Sequence, residues 1–171
     1  SKKILWIASY PKSGNTWMRA IIYSLFFTNN GKFSFEYFKY ISPYEQAERF
    51  EFIKKTNKKD YDDLSKLEIL SKYWVKSQNN IEIEGDFQFL KTHHACIKFH
   101  NYPFTTSSNT LGTIYLIRDP RDVVISYARH LGKDIDKTTN IMINRNETTV
   151  YNGERGNELK LYQSSWDFHV K

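Results

Sequence analysis

Three short segments of this chain carry side chains suited to handling an anion. The first is Tyr10-Pro11-Lys12-Ser13-Gly14-Asn15-Thr16-Trp17. It follows the continuous apolar run Ile4-Leu5-Trp6-Ile7-Ala8, the pattern of a strand buried on both faces. It leads into a segment in which Trp17, Ala20, Ile21, Ser24, Leu25 and Thr28 fall on one side at helical spacing. The junction therefore reads strand, turn, helix. Such a turn leaves several backbone N–H groups at a helix N-terminus, where the dipole favours negative charge, and Lys12 adds a full positive charge. The chemistry this implies is the binding of a phosphate or sulfate.

The second segment repeats the pattern. Thr113 to Arg118 reads as a buried strand, Asp119 as a helix N-cap and Pro120 as the first helical residue. Val123, Val124, Tyr127, Ala128 and Leu131 supply an apolar face, and Gly132 a stop. Arg118 thus falls at the carboxyl end of a parallel strand, where open α/β sheets bind ligands, and Ser126 lies two turns into the helix. A guanidinium and a hydroxyl so placed suit a phosphate. The competing reading is an Arg118–Asp ion pair with a helix-facing serine.

The third segment is Phe89-Leu90-Lys91-Thr92-His93-His94, where Phe87, Phe89 and Leu90 suggest a short buried strand and His93 lies just past its end. His94, His100, His130 and His169 read as ordinary hydrogen-bonding histidines. His93, His94 and Cys96 are all metal-ligating types, but they lack a paired C-x-x-C or spaced H-x-x-x-H arrangement, and adjacent side chains diverge on an extended backbone. No metal site is expected.

The P-loop of nucleoside triphosphatases, G-x-x-x-x-G-K-[ST], does not fit, because Lys12 precedes the segment's only glycine and no glycine lies upstream. P-K-S-G-N-T-W instead resembles the 5′-phosphosulfate loop of the sulfotransferases that use 3′-phosphoadenosine 5′-phosphosulfate (PAPS), usually P-K-S-G-T-T-W, with Asn15 the one departure. I-R-D-P-R-D-V-V-I-S-Y resembles the 3′-phosphate motif of the same family, with Arg118 and Ser126 at its eight-residue spacing. K-T-H resembles the region of the family's catalytic histidine. The resemblance implies a P-loop-like three-layer α/β/α fold around a mainly parallel sheet. It implies His93 as general base, Lys12 and Lys91 as catalytic lysines, and a loop of Lys12, Ser13, Gly14, Asn15, Thr16 and Trp17 that binds PAPS, or PAP as product. By the same resemblance Arg118 and Ser126 bind the 3′-phosphate, Trp17 stacks on adenine, and a small-molecule hydroxyl or amine is the acceptor.

Composition bounds the rest. The 171 residues read as one domain, 1–171, with a hydrophobic fraction of 40 % and aromatics at 16 %. A lone cysteine, Cys96, excludes a disulfide framework and fits a reducing, cytoplasmic compartment. No apolar run approaches the roughly 20 residues of a membrane span. The net charge of +6 suits an anionic nucleotide. Nucleic acid is not an expected partner, since the lysines are scattered and the densest group (Lys54, Lys55, Lys58, Lys59) lies in a polar connection. Neither acceptor identity nor oligomeric state is specified.

Pro43 to Lys55 and Leu64 to Lys76 read as helices bearing Tyr44, Phe50, Phe52, Tyr73 and Trp74. Packing accounts for most of these rings, although the resemblance implies that this insertion contributes to the acceptor pocket. Asn140 to Asn157, with Asn152-Gly153 and Arg155-Gly156, reads as a surface loop. From Glu158, the residues Leu159, Tyr162, Trp166, His169 and Val170 keep helical spacing to Lys171. S-S-W-D-F-H-V-K resembles the family's helix around G-S-W-x-x-H-V, so the domain is expected to be incomplete at its C-terminal end, without the later R-K-G-type element. Gln163 stands where the family commonly has an adenine-stacking tyrosine. Two rival functions remain open at this level: a P-loop-type small-molecule kinase with Asp119 on magnesium, and a nucleotide-binding module inactive through truncation.

Overall fold

The computed structural model describes residues 3–152 and 158–171. Its organising element is β1, Lys3–Ser9, the middle strand of a three-stranded parallel sheet. Ile4, Trp6, Ile7, Ala8 and Ser9 are all buried, as a strand covered on both faces requires. On one side β1 pairs with β2, Phe87–Thr92, from Lys3↔Phe87 to Ala8↔Thr92. On the other it pairs with β5, Thr110–Leu116, ending at Ser9↔Leu116. The three carboxyl ends therefore meet at one edge of the sheet, and the chain leaves each strand there. Between β2 and β5 lies a small antiparallel hairpin of β3, Lys98–Phe99, and β4, Tyr102–Pro103.

Parallel neighbours need long crossovers, and helices supply them. α1, Asn15–Phe26, follows β1 directly. Its buried residues are Asn15, Ile22 and Tyr23, with Met18 packed beside Ile22 and Ile7. This overturns the expected face: Trp17, Ile21 and Leu25 are exposed. The helix carries apolar residues on two sides, and only the sheet's position decides which one is covered.

The segment before β2 is more broken than two helices. It holds 3-10 turns at Phe35–Tyr40, Ala47–Phe50 and Ser71–Tyr73, with short helices α2 (Glu51–Thr56), α3 (Lys58–Asp62), α4 (Leu67–Leu70) and α5 (Trp74–Asn79). Pro43 starts no helix. It forms a parallel bridge with Lys91, with Lys91 N–H donating to Ser42 O at 3.0 Å and Tyr44 N–H to Lys91 O at 2.8 Å. The residues 42–44 thus extend the sheet edge instead. The aromatic rings there pack as a core: Trp74, Tyr44 and Phe50 are fully buried against Trp6, Phe104 and Leu90. The Tyr44 hydroxyl is held by Ser77 Oγ at 2.6 Å and Trp74 O at 3.1 Å.

After β5, α6 spans Pro120–Leu131 as the cap signals imply. Asp119 accepts from Arg121 N–H, and Gly132 ends the helix at φ 62°. Val123, Tyr127 and Ala128 are buried. The stretch read as a loop from Asn140 holds the end of α7, Ile135–Ile143, and strand β6, Thr148–Asn152. The turns at Gly153 and Arg155-Gly156 lie outside the described residues. Glu158 begins no helix: β7, Glu158–Tyr162, pairs antiparallel with β6, and only Trp166–His169, α8, is helical. Leu159 and Leu161 are buried and flank Lys160, a period of two that the helical spacing masked.

His94 sits in the core beside these strands. Its ring stacks on Phe104 at 4.7 Å and meets Trp74 edge-on at 4.8 Å. Burial pushes its pKa down to about 3. Below the ordinary value of 6.5 the unfolded chain therefore binds a proton that the folded one refuses. Stability is present in full above that value and is lost as pH falls, by up to about 1.4 kcal/mol per pH unit for this one group. His94→Phe is expected to make the loss of melting temperature between neutral and acidic pH shallower, as thermal denaturation across that range would measure; an unchanged slope removes His94 from the acid transition.

Candidate functional site

Against the carboxyl edge of the sheet lies a cavity of about 630 Å³, within the usual span of about 300–1,000 Å³ for ligand pockets. Its lining draws on all three segments singled out in the sequence. Lys12, Gly14, Asn15, Thr16 and Trp17 come from the first, Arg118 and Ser126 from the second, Lys91 and His93 from the third. Ser13 is the exception: it is buried outside the lining, its N–H turned to Tyr10 O at 3.3 Å and its hydroxyl buried without a partner.

The loop between β1 and α1 bends through two left-handed residues, Lys12 at φ 66° and Gly14 at φ 105°. Gly14 is the N-cap of α1 and offers no side chain, and the first turn contains no acidic residue. The contrast with the other long helices is clear. α6 and α7 each have an aspartate, Asp119 and Asp134, accepting a first-turn N–H. The leading donors of α1 are left for something else, at a point where the dipole favours negative charge. That vacant role fits a phosphate or sulfate oxyanion. Trp17 follows at 78 % exposure and lines the cavity, so its indole is an open face and no part of the core.

Arg118 reaches back to this loop. Its Nη1 donates to Lys12 O at 3.2 Å, whereas its Nε lies 3.9 Å from Asp122 Oδ2 in an exposed contact. The ion pair is too long and too exposed to contribute much. Asp119 does not line the cavity. Its carboxylate caps α6 and pairs with Arg121 at 2.6 Å, and the Arg121 side chain holds its pKa down at about 2.

His93 is fixed through one ring nitrogen. Nδ1 lies 2.8 Å from Ser9 O and 3.2 Å from Ser9 Oγ. A carbonyl can only accept, so Nδ1 carries the hydrogen and Nε2 keeps its lone pair. The His93 carbonyl in turn accepts from His169 Nε2 at 3.0 Å, and His169 is held by the Tyr115 hydroxyl. Burial first, then the nearby Lys91 charge, push the His93 pKa well below the ordinary value, while the Ser9 carbonyl opposes them. Lys91 is lowered too, by burial, with Glu45 pulling it up and Arg19 down. His94 faces Phe104 and Trp74, Cys96 is exposed, and among the described residues no group of three potential metal ligands assembles.

Arg19 and Thr149 line the cavity with no earlier signal, Tyr127 and His130 join it from an apolar helix face and an ordinary histidine position, and Gln163 comes from the position marked by the family's adenine-stacking tyrosine. Arg19 donates to Phe38 O at 2.9 Å with its guanidinium 4.4 Å from the Phe38 ring centre. Gln163 is buried and clamped by the Tyr127 hydroxyl and Thr149. Arg19 owes its orientation to Phe38, in a separate segment, which no local pattern reveals. Lys12, Arg19, Lys91 and Arg118 put four cationic side chains around the cavity, and among the described residues no carboxylate lines it.

The family model described as the sulfotransferase domain matches residues 2–163. This chain belongs to the sulfotransferase family, whose chemistry is the transfer of a sulfuryl group. A comparison with curated proteins finds no match. Among the described residues no helix is long and apolar enough to cross a membrane.

At Gly14 an added Cβ meets no atom within 4 Å, yet φ is 105°. Backbone strain alone is then the expected cost of Gly14→Ala, about 1–2 kcal/mol. Chemical denaturation would read it, and wild-type stability in that variant would mean that the loop relaxes without strain.

Proposed function

We propose that this chain transfers the sulfuryl group of PAPS to the hydroxyl or amine of a small-molecule acceptor in the cytoplasm. In this reading residues 1–171 form one domain of the P-loop-like three-layer α/β/α kind. The observation that carries it is the single cavity shared by the Lys12 loop, by Arg118 with Ser126, and by His93. PAPS supplies an activated sulfuryl on its 5′-phosphate and a separate 3′-phosphate for binding.

Lys12 and the uncapped amides from Gly14 to Trp17 meet the 5′-phosphate and the charge that grows on the bridging oxygen in a loose transition state. Because they are fixed before the reaction, they need no reorganisation during it. Arg118 and Ser126 hold the 3′-phosphate, the guanidinium by paired charge-assisted bonds. Trp17 offers the adenine its exposed indole. His93 Nε2 takes the acceptor's proton, and Lys91 neutralises charge at the transferring group. Arg19 adds a fourth positive charge on the same wall, so no metal is part of this reading.

Two measurements test the assignment. His93→Ala is expected to cost about 10²–10⁴-fold in turnover while PAP affinity stays within a few-fold; Arg118→Ala is expected to do the reverse, mainly weakening PAP. Intact turnover in the first or unchanged affinity in the second overturns that residue's role. The depressed pKa of His93 also sets a sign. The base is competent above its pKa, so the acid limb of kcat/KM belongs well below pH 6.5, and kcat/KM reports the free enzyme. A limb above that value contradicts a neutral His93.

A further inference from the structure

We propose that the acceptor is an alcohol or phenol that carries its own oxyanion, such as a carboxylate, and that Arg19 is the residue that selects it. The proposal rests on the reading of His93 as general base, and adds the class of molecule which that base serves.

The cavity is built from two unlike sides. Arg118 follows β5, and Ser126 and His130 belong to α6. On the other side Arg19 comes from α1, one turn beyond Asn15, and joins Lys91, His93 and Pro43 along the edge of β2. Arg19 is held from its flank: Nη2 donates to Phe38 O at 2.9 Å, and the guanidinium lies 4.4 Å from the centre of the Phe38 ring. A guanidinium keeps its charge in any setting. Fixed in this way, it meets a ligand without first having to be ordered.

The charge of this side is turned towards the ligand. Burial comes first in lowering the pKa of both Lys91 and His93, and the Arg19 charge adds to it at each. The guanidinium is therefore within electrostatic reach of the base. Glu45 pulls Lys91 the other way, but it is 3 % exposed, accepts from the Thr92 hydroxyl through Oε1 and takes no part in lining the cavity. It offsets charge from behind the wall and presents none to the open space.

In the donor reading Lys12 and Arg118 meet the two phosphates and Lys91 the sulfuryl. Arg19 stands on the side of the base, where the acceptor brings its hydroxyl to His93 Nε2. A protonated amine entering there meets like charge from Arg19 and Lys91, which rejects it. A neutral acceptor strips water from the guanidinium and returns little. An oxyanion gains charge-assisted hydrogen bonds from the same group.

The test uses the full chain with PAPS and three phenols of one shape: para-hydroxyphenylacetate, tyrosol and tyramine, which end in a carboxylate, a hydroxyl and an ammonium. Their kcat/KM is expected to fall in that order, by about tenfold or more from first to last. Arg19→Gln is expected to erase most of the order, chiefly by raising KM for the carboxylate, while PAP affinity stays within a few-fold. Arg19→Lys keeps the charge and is expected to retain the order. Should Arg19→Gln not fold, Arg19→Met, whose stem can still pack on Phe38, is read in its place. Equal kcat/KM for the three, a preference for the ammonium, or an order that survives loss of the Arg19 charge overturns the proposal. So does inhibition by the carboxylate competitive with PAPS, which puts it in the sulfuryl's place, or the absence of any turnover while PAP still binds. Failure of the general-base reading looks different: His93→Ala then turns over all three phenols as wild type does.

Discussion

The parallel pairing of β1 with both its neighbours is the constraint from which the rest of the site follows. It brings three chain exits to one edge of the sheet, so that Ser9 and His93, 84 positions apart, share a hydrogen bond. Lys12 and Arg118, 106 positions apart, share another. Neither contact is within reach of local structure. A one-residue slip of the central strand would exchange Ile4 and Trp6 with Ile7 between two differently packed clusters, so the relative heights of the three loops are fixed by apolar packing rather than by the polar residues that use them.

Within that frame the helix ends divide by purpose. Asp119 and Asp134 satisfy the first turns of α6 and α7 as helix physics asks. The start of α1 is left without a cap, with two left-handed residues before it and a glycine in the capping position. A local rule broken where a cavity opens is the usual mark of a binding site. The cationic lining is a second such departure: burial first, and then neighbouring positive charge, depress both Lys91 and His93, with Glu45 pulling Lys91 the other way. Four positive side chains around one cavity are stable partners only for a strongly anionic molecule.

Much of this was legible in the residues. Asp119, Pro120 and Gly132 mark both ends of α6, and the apolar runs locate β1 and β2, because these signals act through nearest neighbours. The errors share one cause. Trp17, Ile21 and Leu25 make as good an apolar stripe as Met18 and Ile22, and only the sheet chooses between them. Leu159 and Tyr162 fit a helix, while Leu159 and Leu161 fit the strand that β6 actually stabilises. Pro43 and Tyr44 were drawn into a helix by the residues that follow, but the edge of β2 claims them through Lys91. At the cavity, the loop lysine and the strand-end arginine were visible by type and spacing. Arg19 was not, since its placement depends on Phe38 in a separate segment.

The bond from Arg118 to the Lys12 carbonyl means that the two cationic segments facing the cavity communicate. A ligand that claims this guanidinium exchanges one hydrogen bond for another, so its gain is a difference and falls short of a full contact. It also releases a carbonyl on a left-handed residue of the opposite loop, whose geometry is then free to adjust. Occupancy at one end of the cavity is thereby linked energetically to the shape of the other, and fragments that fill only one end will not have additive affinities.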